Sequence, residues 1–255
     1  MGTSDRSVLR LIDTDLADPA YTAAVDEALL ESVTAKGPPT LHLYRRAPPG
    51  VTLGYFLKAA ENVDLELCRK AGIKVIRRLS GGGAIYTDEG QLVYGIATSG
   101  LLQDAPAKCF EVVCGALVNA LTSLGCECVF SPVNDVVANG KKLSGSAIVN
   151  RGPAKLVHGT VIVQLDRGRM FKALKVPKAK LRSKGLRSPG ERVTSLEEVL
   201  GRKVDMTELK DALSSALGAA LGLKVKKGTL TKAERERIDE LVKKKYDNDD
   251  WNLKV

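Results

Sequence analysis

Lys142 and Asp135 are the two residues of this sequence whose types and spacing best suit chemistry on an anion. They flank Asn139-Gly140, a dipeptide that strongly favours a two-residue hairpin turn between the β-type runs on either side. Such a turn would place the lysine and the aspartate on neighbouring strands, although the sequence leaves open whether both face one side of the sheet. A surface ion pair of this kind contributes under about 1 kcal/mol. The small residues 144–147 suit instead a strand that lines a tight pocket.

Three consecutive glycines, Gly81-Gly82-Gly83, follow Arg77-Arg78 and precede a β-type run that begins at Ala84. Bare backbone allows a ligand to approach N–H groups closely, and the arginines would supply positive charge. The stretch matches neither a G-x-G-x-x-G fingerprint that opens a helix nor the Gly-Lys-Ser/Thr of a Walker loop. Taken alone, it is equally typical of a plain glycine-rich turn and of a loop that contacts a ligand.

The remaining groups that could do chemistry are two histidines and five cysteines. His158 begins the apolar run HGTVIV, and a lone histidine on a strand more often packs than catalyses. No G-x-S-x-G accompanies it. The cysteines contain no C-x-x-C, and together with His42 they lack the spacing of a zinc site, so we expect reduced and mostly buried thiols.

The elements that must position these groups follow an α+β pattern. Asp18-Pro19 reads as the start of a helix, and Gly125 as the stop of an amphipathic helix over 109–125. Between and after them lie many short β-type runs, and two helices follow with a capping residue and a glutamate three positions on, from Asp205 and from Thr231. This order is not an alternating β-α-β pattern. We expect one domain over residues 1–255.

The formal net charge is +9, and much of it is local. Between Arg167 and Arg192 there are ten basic residues against one acid, which suggests a segment that an anion would order. An aromatic content of 4% offers little for base stacking, so we do not expect a nucleic-acid partner. No run is long enough to span a membrane and the N-terminus lacks a secretory signal, so the expected location is cytoplasmic.

Three motifs, in this order, carry a resemblance: RRLSGGGAIYTDEGQLVY, NDVVANGKKLSGSA and HGTVIV. Together they resemble the lipoate–protein ligase A family, within the wider group of biotin/lipoate ligases and octanoyltransferases. The resemblance extends over essentially the whole chain, from DPAYTAAVDEALL through SPGERVTSLEEV to KKYDNDDWNL. It implies a biotin/lipoate-ligase-like α+β fold with a mainly antiparallel or mixed β-sheet core flanked by helices.

The resemblance also implies an activity. Members of the family activate lipoate with ATP to lipoyl-AMP and pass the lipoyl group to a lysine of a carrier domain. The carriers are E2 subunits of 2-oxoacid dehydrogenases or the glycine cleavage H protein. Lys142 would bridge carboxylate and phosphate and stabilise the transition state. Asp135 would hold a phosphate-bound Mg²⁺ or orient the incoming amine.

Further residues would, by the same resemblance, frame the substrate and the adenylate. Those residues are Arg77, Arg78, Ser80, Gly81, Gly82, Gly83, Ala84, Ile85, Tyr86, Asn134, Gly145, Ser146, Ala147, His158, Gly159 and Thr160. The segment after Asp166 acts in the family as a flap over the adenylate, which would give the basic stretch a role.

Two departures from the family pattern bear on function. Leu57 stands where the family commonly has a glutamine, so a polar contact from that position is lost. Bacterial ligases of the family continue into an accessory domain, whereas this sequence ends at Val255. We therefore expect the catalytic half of a two-protein ligase with a separate accessory subunit.

Two alternatives remain at this stage. Octanoyltransferases of the same group use a cysteine nucleophile without ATP, and Cys128 lies roughly where one subfamily keeps it. The sequence register places Cys128 one residue off, however, and Asn134-Asp135 matches the ligases better. The other alternative is a basic binding protein without catalytic activity.

Overall fold

The computed structural model describes residues 7–175 and 189–254. A large sheet has the strand order β11-β1-β2-β6-β10-β9-β8-β7, and a small sheet has the order β4-β3-β5. The strands are β1 (Val8–Ala17), β2 (Thr40–Arg46), β3 (Gly50–Leu53), β4 (Lys74–Arg77), β5 (Ile85–Thr87), β6 (Gln91–Ser99), β7 (Val129–Ser131), β8 (Asp135–Ala138), β9 (Lys141–Arg151), β10 (Ala154–Ile162) and β11 (Lys224–Lys227).

Both sheets are mixed. In the large sheet β1 runs parallel to β2 and to β11, while the remaining neighbours are antiparallel. In the small sheet β3 is parallel to β4 and antiparallel to β5. The α+β fold class predicted from the sequence is confirmed. The strands β1 and β11, which the sequence reading did not identify, add the parallel edge of the large sheet.

Helices cover both faces of the large sheet. The α-helices are α1 (Pro19–Thr34), α2 (Ala59–Asn62), α3 (Leu65–Lys70), α4 (Pro106–Ser123), α5 (Arg167–Ala173), α6 (Leu196–Leu200), α7 (Met206–Leu221), α8 (Lys232–Leu241) and α9 (Asp249–Asn252). A π-helical turn, Val242–Tyr246, links α8 to α9.

Strand alternation divides the core between the two faces. On β6, Leu92, Tyr94 and Ile96 belong to the cluster that includes α4 and α7. Ala97, whose side chain points to the other face of β6, belongs to the cluster that includes α1 and α8. A third cluster lies under the small sheet and contains Val51 and Tyr86. The site described below opens on the α1 face.

Local signals in the sequence are confirmed where they specify turns and caps. The Asp18 carboxylate accepts from the Ala20 N–H, and Pro19 is the first residue of α1. Thr231 and Glu234 form a reciprocal capping box at the start of α8. Asn139 and Gly140 have φ values of 50° and 71°, as a hairpin turn with both central residues left-handed requires.

Two expectations concern the chain beyond these elements. Residues 176–188 of the predicted basic flap lie outside the described residues, whereas helix α5 before them and a 3₁₀ turn after them, Pro189–Arg192, are described. Within the ranges that the structure describes, no helix is both long and apolar enough to cross a bilayer.

Candidate active site

A cavity of about 360 Å³ lies between the α1 face of the large sheet and the glycine loop of the small sheet. Tyr44, Val93, Thr160 and Gly145 lie in one row across β2, β6, β10 and β9, and all four line the cavity. Three strand spacings separate the ends of the row, about 14 Å. The cavity therefore runs across the strands, with the β8–β9 hairpin at one end and β2 at the other.

Lys142 lies at the hairpin end of the cavity, paired with Asp135. Its Nζ is 2.5 Å from the Asp135 Oδ1. The register explains this, because Lys142 is opposite Val137 and Asp135 is opposite Gly145, with an irregularity between the two pairs. Both side chains thus face one side, as the sequence could not establish, while Lys141 points the other way and is exposed.

Gly145 is required by this ion pair. A Cβ at that position would lie 2.4 Å from the Lys142 Nζ and 3.3 Å from the Asp135 Oδ1. The small residues that follow the lysine therefore provide the space in which its ammonium group lies. Asn134 also belongs to this end, because its side-chain amide donates to the Ser146 carbonyl.

The glycine loop is held from behind by Arg78. The Arg78 Nη2 donates to the carbonyls of Gly81 and Gly83 at 2.6 and 2.9 Å, and its Nη1 donates to the Thr52 carbonyl at 3.2 Å. Gly82 has a φ of 95°, a conformation that favours glycine. The guanidinium thus fixes the loop backbone along one wall of the cavity.

Arg77, the neighbouring arginine, lies outside the cavity lining. Its Nη1 donates to the carbonyl of Leu57 at 2.7 Å, and its Nη2 donates to the carbonyl of Lys254 at 2.7 Å. Adjacent strand residues point to opposite faces, so only one of the two arginines can reach the cavity. The expectation that Arg77 frames the ligand is thereby corrected: its guanidinium ties the small sheet to the C-terminal segment.

Arg46, at the end of β2, is a buried arginine in the cavity lining that the sequence reading missed. Its guanidinium donates to the hydroxyls of Thr22, Thr52 and Thr87. Within the described chain it has no carboxylate partner. Burial, and then the charge of Arg46, lower the pKa of Arg78 to about 10. Two uncompensated guanidinium groups at one cavity favour an anionic ligand.

Asp26, on α1, is the carboxylate that the structure places in the cavity lining. It contacts both histidines: its Oδ1 is 2.8 Å from the His42 Nδ1, and its Oδ2 is 3.3 Å from the His158 Nδ1. Burial alone would raise the pKa of Asp26, but the hydrogen bonds from His158 and His42 bring it below its usual range. Among the described lining residues, Arg46, Arg78 and Lys142 therefore face one carboxylate.

Most of the predicted site residues come together around this cavity. The lining includes Arg78, Gly81, Gly82, Gly83, Ala84, Ile85, Asn134, Lys142, Gly145, Ser146, Ala147, His158, Gly159 and Thr160. Ser80, Tyr86 and Asp135 lie beside it, buried or half-buried, and are not among the lining residues. Their roles toward a substrate remain predictions.

The lining residues that sequence reasoning missed are spread over several elements of both sheets and over helices α1 and α4. They include Ala23, Asp26, Tyr44, Arg46, Thr52, Thr87 and Val93. Asp26 did leave a signal, since it is an acid among the buried apolar residues of a helix. Tyr44 and Arg46 share one face of β2 by alternation, but nothing near them in the sequence indicates a ligand.

None of the five cysteines is among the cavity-lining residues of the described chain. Cys128 is half-buried and packs against the core. Cys114 is 3.5 Å from the Ser146 Oγ, and burial raises the pKa of its thiol, which makes it a poor nucleophile. No group of three potential metal-ligating side chains occurs in the part of the chain that was described.

The chain is similar to known proteins over most of its length. The family model described as "Lipoyl protein ligase A/B catalytic domain" matches residues 18–218. The chain is 35% identical to the lipoate-protein ligase A subunit 1 of Thermoplasma acidophilum, covering 96% of this chain and 95% of that protein. It is 31% identical to the octanoyltransferase LipM of Moorella thermoacetica, covering 95% and 96%.

Solved structures show the same fold. A bi-partite lipoate protein ligase from Thermoplasma acidophilum, studied with its E2 lipoyl domain, has a TM-score of 0.87 at 33% identity and covers 96% of each chain. A lipoate-protein ligase A bound with ATP has a TM-score of 0.83 at 31% identity, covering 96% and 98%. A putative lipoate protein ligase from the same archaeon with bound lipoic acid has a TM-score of 0.84 at 30% identity, covering 98% and 99%.

These matches extend over nearly the whole chain, and they confirm the family and the fold that the motifs indicated. The matched proteins include ligases as well as an octanoyltransferase. The matches therefore identify the enzyme family but not which of these two reactions the chain catalyses. The chain belongs to the lipoyl protein ligase A/B catalytic domain family.

Proposed function

We propose that this protein activates lipoate with ATP to lipoyl-AMP and transfers the lipoyl group to a lysine of lipoyl-carrier domains, E2 subunits or the H protein. The observation that carries the proposal is Lys142, an ammonium group at the end of a cavity with two further buried cations and one carboxylate. A carboxylate and an α-phosphate repel each other, and these cations would offset that repulsion.

In the first step, the acyl carboxylate would attack the α-phosphorus of ATP, and pyrophosphate would leave as the P–O bond breaks. Lys142 would neutralise charge on the pentavalent phosphorus. In the second step, the carrier amine would attack the acyl carbonyl and AMP would leave, with Lys142 polarising the carbonyl. Asp135, 2.5 Å from the Lys142 Nζ, would keep the ammonium in place between the steps.

Magnesium would enter with the nucleotide. The described residues contain no ready-made cage of carboxylates, and Asp135 is the acidic side chain at the hairpin end. Asp135 would thus act as a single protein ligand to an ion that the phosphates already hold. Because the Asp135 Oδ1 is already paired with Lys142, it is less available to coordinate magnesium.

The partner proteins follow from the relatives. Because one relative is a "subunit 1" and another is a bi-partite ligase, we propose a separate accessory subunit that assists adenylation. Residues 1–255 would then be the catalytic unit.

Substitution of Lys142 tests the proposal directly. The wild-type protein is incubated with lipoate, Mg-ATP and an apo carrier domain, with and without a candidate accessory chain, and the carrier mass is measured. We expect a lipoyl adduct that disappears with Lys142→Ala, while the far-UV circular dichroism of the variant matches wild type. Lipoylation by Lys142→Ala at the wild-type rate would contradict the proposal. Lys141→Ala, on the opposite face of the same strand, is the matched control.

The octanoyltransferase relatives define the competing function, in which an octanoyl group moves from a carrier thioester without ATP. That reaction in this group uses a cysteine, and Cys128 lies outside the cavity lining. We expect Cys128→Ser to leave ATP-dependent lipoylation intact. ATP-independent transfer that Cys128→Ser abolishes would establish the competing function instead.

A further inference from the structure

We propose that Asp26 is a positioning residue, which holds His158 as the neutral Nδ1–H tautomer and, through His158 and Ser80, orients the Arg78 that supports the glycine loop. The tautomer itself does not depend on the proposed function, whereas the kinetic consequence rests on it.

Gly95, which lies between His42 and His158, leaves room for the Asp26 carboxylate. His42, Gly95 and His158 form one row across β2, β6 and β10. A Cβ at Gly95 would lie 2.7 Å from the Asp26 Oδ1, so only the bare backbone admits the carboxylate. Both histidines of the sequence thus converge on one side chain of α1, which is 4% exposed.

Each polar atom in this network has a partner. The Asp26 Oδ2 also accepts from the Tyr44 hydroxyl at 3.2 Å. Beyond the carboxylate, the His42 Nε2 is 2.9 Å from the Thr14 Oγ1, and the His158 Nε2 is 2.6 Å from the Ser80 Oγ. The Ser80 Oγ accepts from the Arg78 Nε at 3.0 Å.

These contacts assign the protons. An ionised carboxylate can only accept, so His42 and His158 must each carry a proton on Nδ1. The Ser80 Oγ accepts from Arg78 and has one proton of its own, for which the His158 Nε2 is the acceptor in the described network. This arrangement requires a bare Nε2 on His158. In this arrangement the Arg78 Nε, the Ser80 hydroxyl and the His158 Nδ1–H each face an acceptor. A second proton on His158 would leave the Ser80 hydroxyl facing two donors, next to the buried charges of Arg78 and Arg46.

The hydrogen-bond network that begins at Asp26 ends at the glycine loop. Arg78 donates to the carbonyls of Gly81 and Gly83, so its orientation sets the cavity wall. In Asp26→Asn, an amide N–H can face a histidine, which favours the opposite tautomer of His158 and turns its Nε2–H toward Ser80. By analogy with other outer-shell hydrogen bonds, we expect KM for ATP to rise about tenfold.

The tautomers are measured by NMR of ¹⁵N-histidine-labelled protein at neutral pH. The sequence has two histidines, and the His42→Asn variant assigns the remaining ring to His158. We expect His158 of the wild-type protein as the Nδ1–H form, which is the minor tautomer of free histidine, and as the Nε2–H form in Asp26→Asn. An Nε2–H or doubly protonated His158 in the wild-type protein would overturn the inference.

Kinetics separate positioning from mere stabilisation. His42 shares the carboxylate but leads away from the loop to Thr14, so His42→Asn should lower thermal stability without changing KM for ATP. Ser80→Ala and Asp26→Asn should each raise KM, and the double variant should be no worse than the poorer single variant. Additive effects, or an unchanged KM in a folded Asp26→Asn, would refute the proposal. If Asp26→Asn does not fold, the KM for ATP of Ser80→Ala is the kinetic test. Absence of adenylation by the wild-type protein both with and without the accessory chain would refute the proposed function, and the NMR result would still decide the tautomer.

Discussion

Gly82 and Gly83 are neighbours in the same loop, but the structure constrains them differently. Gly82 has a φ of 95°, and a Cβ there would lie 2.8 Å from the Arg78 Nη2. At Gly83, a Cβ would meet no protein atom within 4 Å. Gly82 is therefore required by the fold of the loop, whereas the absence of a side chain at Gly83 has no explanation within the described protein.

We predict that Gly83→Ala leaves the free energy of unfolding within about 0.5 kcal/mol of wild type. If the bare backbone exists to admit a ligand, the same methyl group should raise the Kd for lipoate or ATP about tenfold or more. Isothermal calorimetry and urea unfolding measure the two effects. Gly115→Ala, on the open face of α4, is the control and should change neither affinity. Wild-type affinity in Gly83→Ala would mean that no ligand approaches this residue.

The residues that could be predicted from the sequence are those whose geometry is local. Asn139-Gly140 determines a hairpin within a few residues, and that hairpin brings Lys142 to Asp135. Alternation predicts that Arg77 and Arg78 face opposite sides, but the choice between them depends on the C-terminal segment, whose Lys254 carbonyl binds Arg77. Arg46 reaches the site from a distant strand, with no local sign of it.

At the scale of elements, one acid attaches α8 to strand β1 of the large sheet. Glu234 closes the capping box with Thr231 and also accepts from both terminal nitrogens of Arg10 on β1, at 2.9 and 2.6 Å. Burial would raise the pKa of Glu234, but the hydrogen bonds from Arg10 and the Thr231 N–H lower it below its usual value of 4.5. The ionised form is therefore the one that the folded state favours.

We predict that Glu234→Gln lowers the free energy of unfolding at pH 7 by about 1–3 kcal/mol. Because the folded pKa is below the unfolded one, this contribution is complete above about pH 4.5 and is lost as the pH falls through the folded value. The difference between wild type and variant in urea unfolding should thus narrow with acid. Glu236→Gln, an exposed residue of the same helix, should change stability little at any pH. A gap that stays constant down to pH 3 would be inconsistent with this account.

Elements were predictable where their own residues specify them. Helices α1 and α8 carry caps that can be read from adjacent residues, Asp18-Pro19 and Thr231 with Glu234. The edge strand β11 is four residues long, mostly lysine, and is a strand because β1 lies beside it. Such an element has no amphipathic pattern of its own, so only the tertiary pairing defines it.

At the scale of the whole molecule, the net charge of +9 distinguishes the two half-reactions that we propose. The family resemblance implies acidic lipoyl-carrier domains, so association of the proposed carrier with this basic protein would be steered by long-range attraction. Adenylation involves charges inside the cavity, which salt screens less.

We predict that KM for the carrier rises steeply between about 50 and 300 mM salt, while KM for ATP in pyrophosphate release changes much less. Steady-state kinetics of the two steps, with the ionic strength as the variable, provide the measurement. A carrier domain with its surface acids neutralised should lose the salt dependence. Equal salt sensitivity of both steps would argue against electrostatic steering.

Arg46 is a buried charge whose side-chain partners in the described protein are hydroxyl groups, with no carboxylate among them. Its three threonine partners include two whose hydroxyls already donate elsewhere, Thr22 to the Pro19 carbonyl and Thr87 to the Gly50 carbonyl. A methionine could replace the guanidinium without leaving those hydroxyl protons unpaired.

Arg46→Met should therefore raise the melting temperature of the free protein and reduce the further rise that ATP and lipoate produce. Arg45→Met changes a half-buried arginine that is paired with Asp15. It should neither raise the melting temperature of the free protein nor reduce the rise that ATP and lipoate produce. A melting temperature of Arg46→Met below that of wild type would contradict this expectation. A buried positive charge of this kind would make stability depend on occupancy, because the free protein would be less stable than Arg46→Met and a bound anion would supply the missing counter-charge.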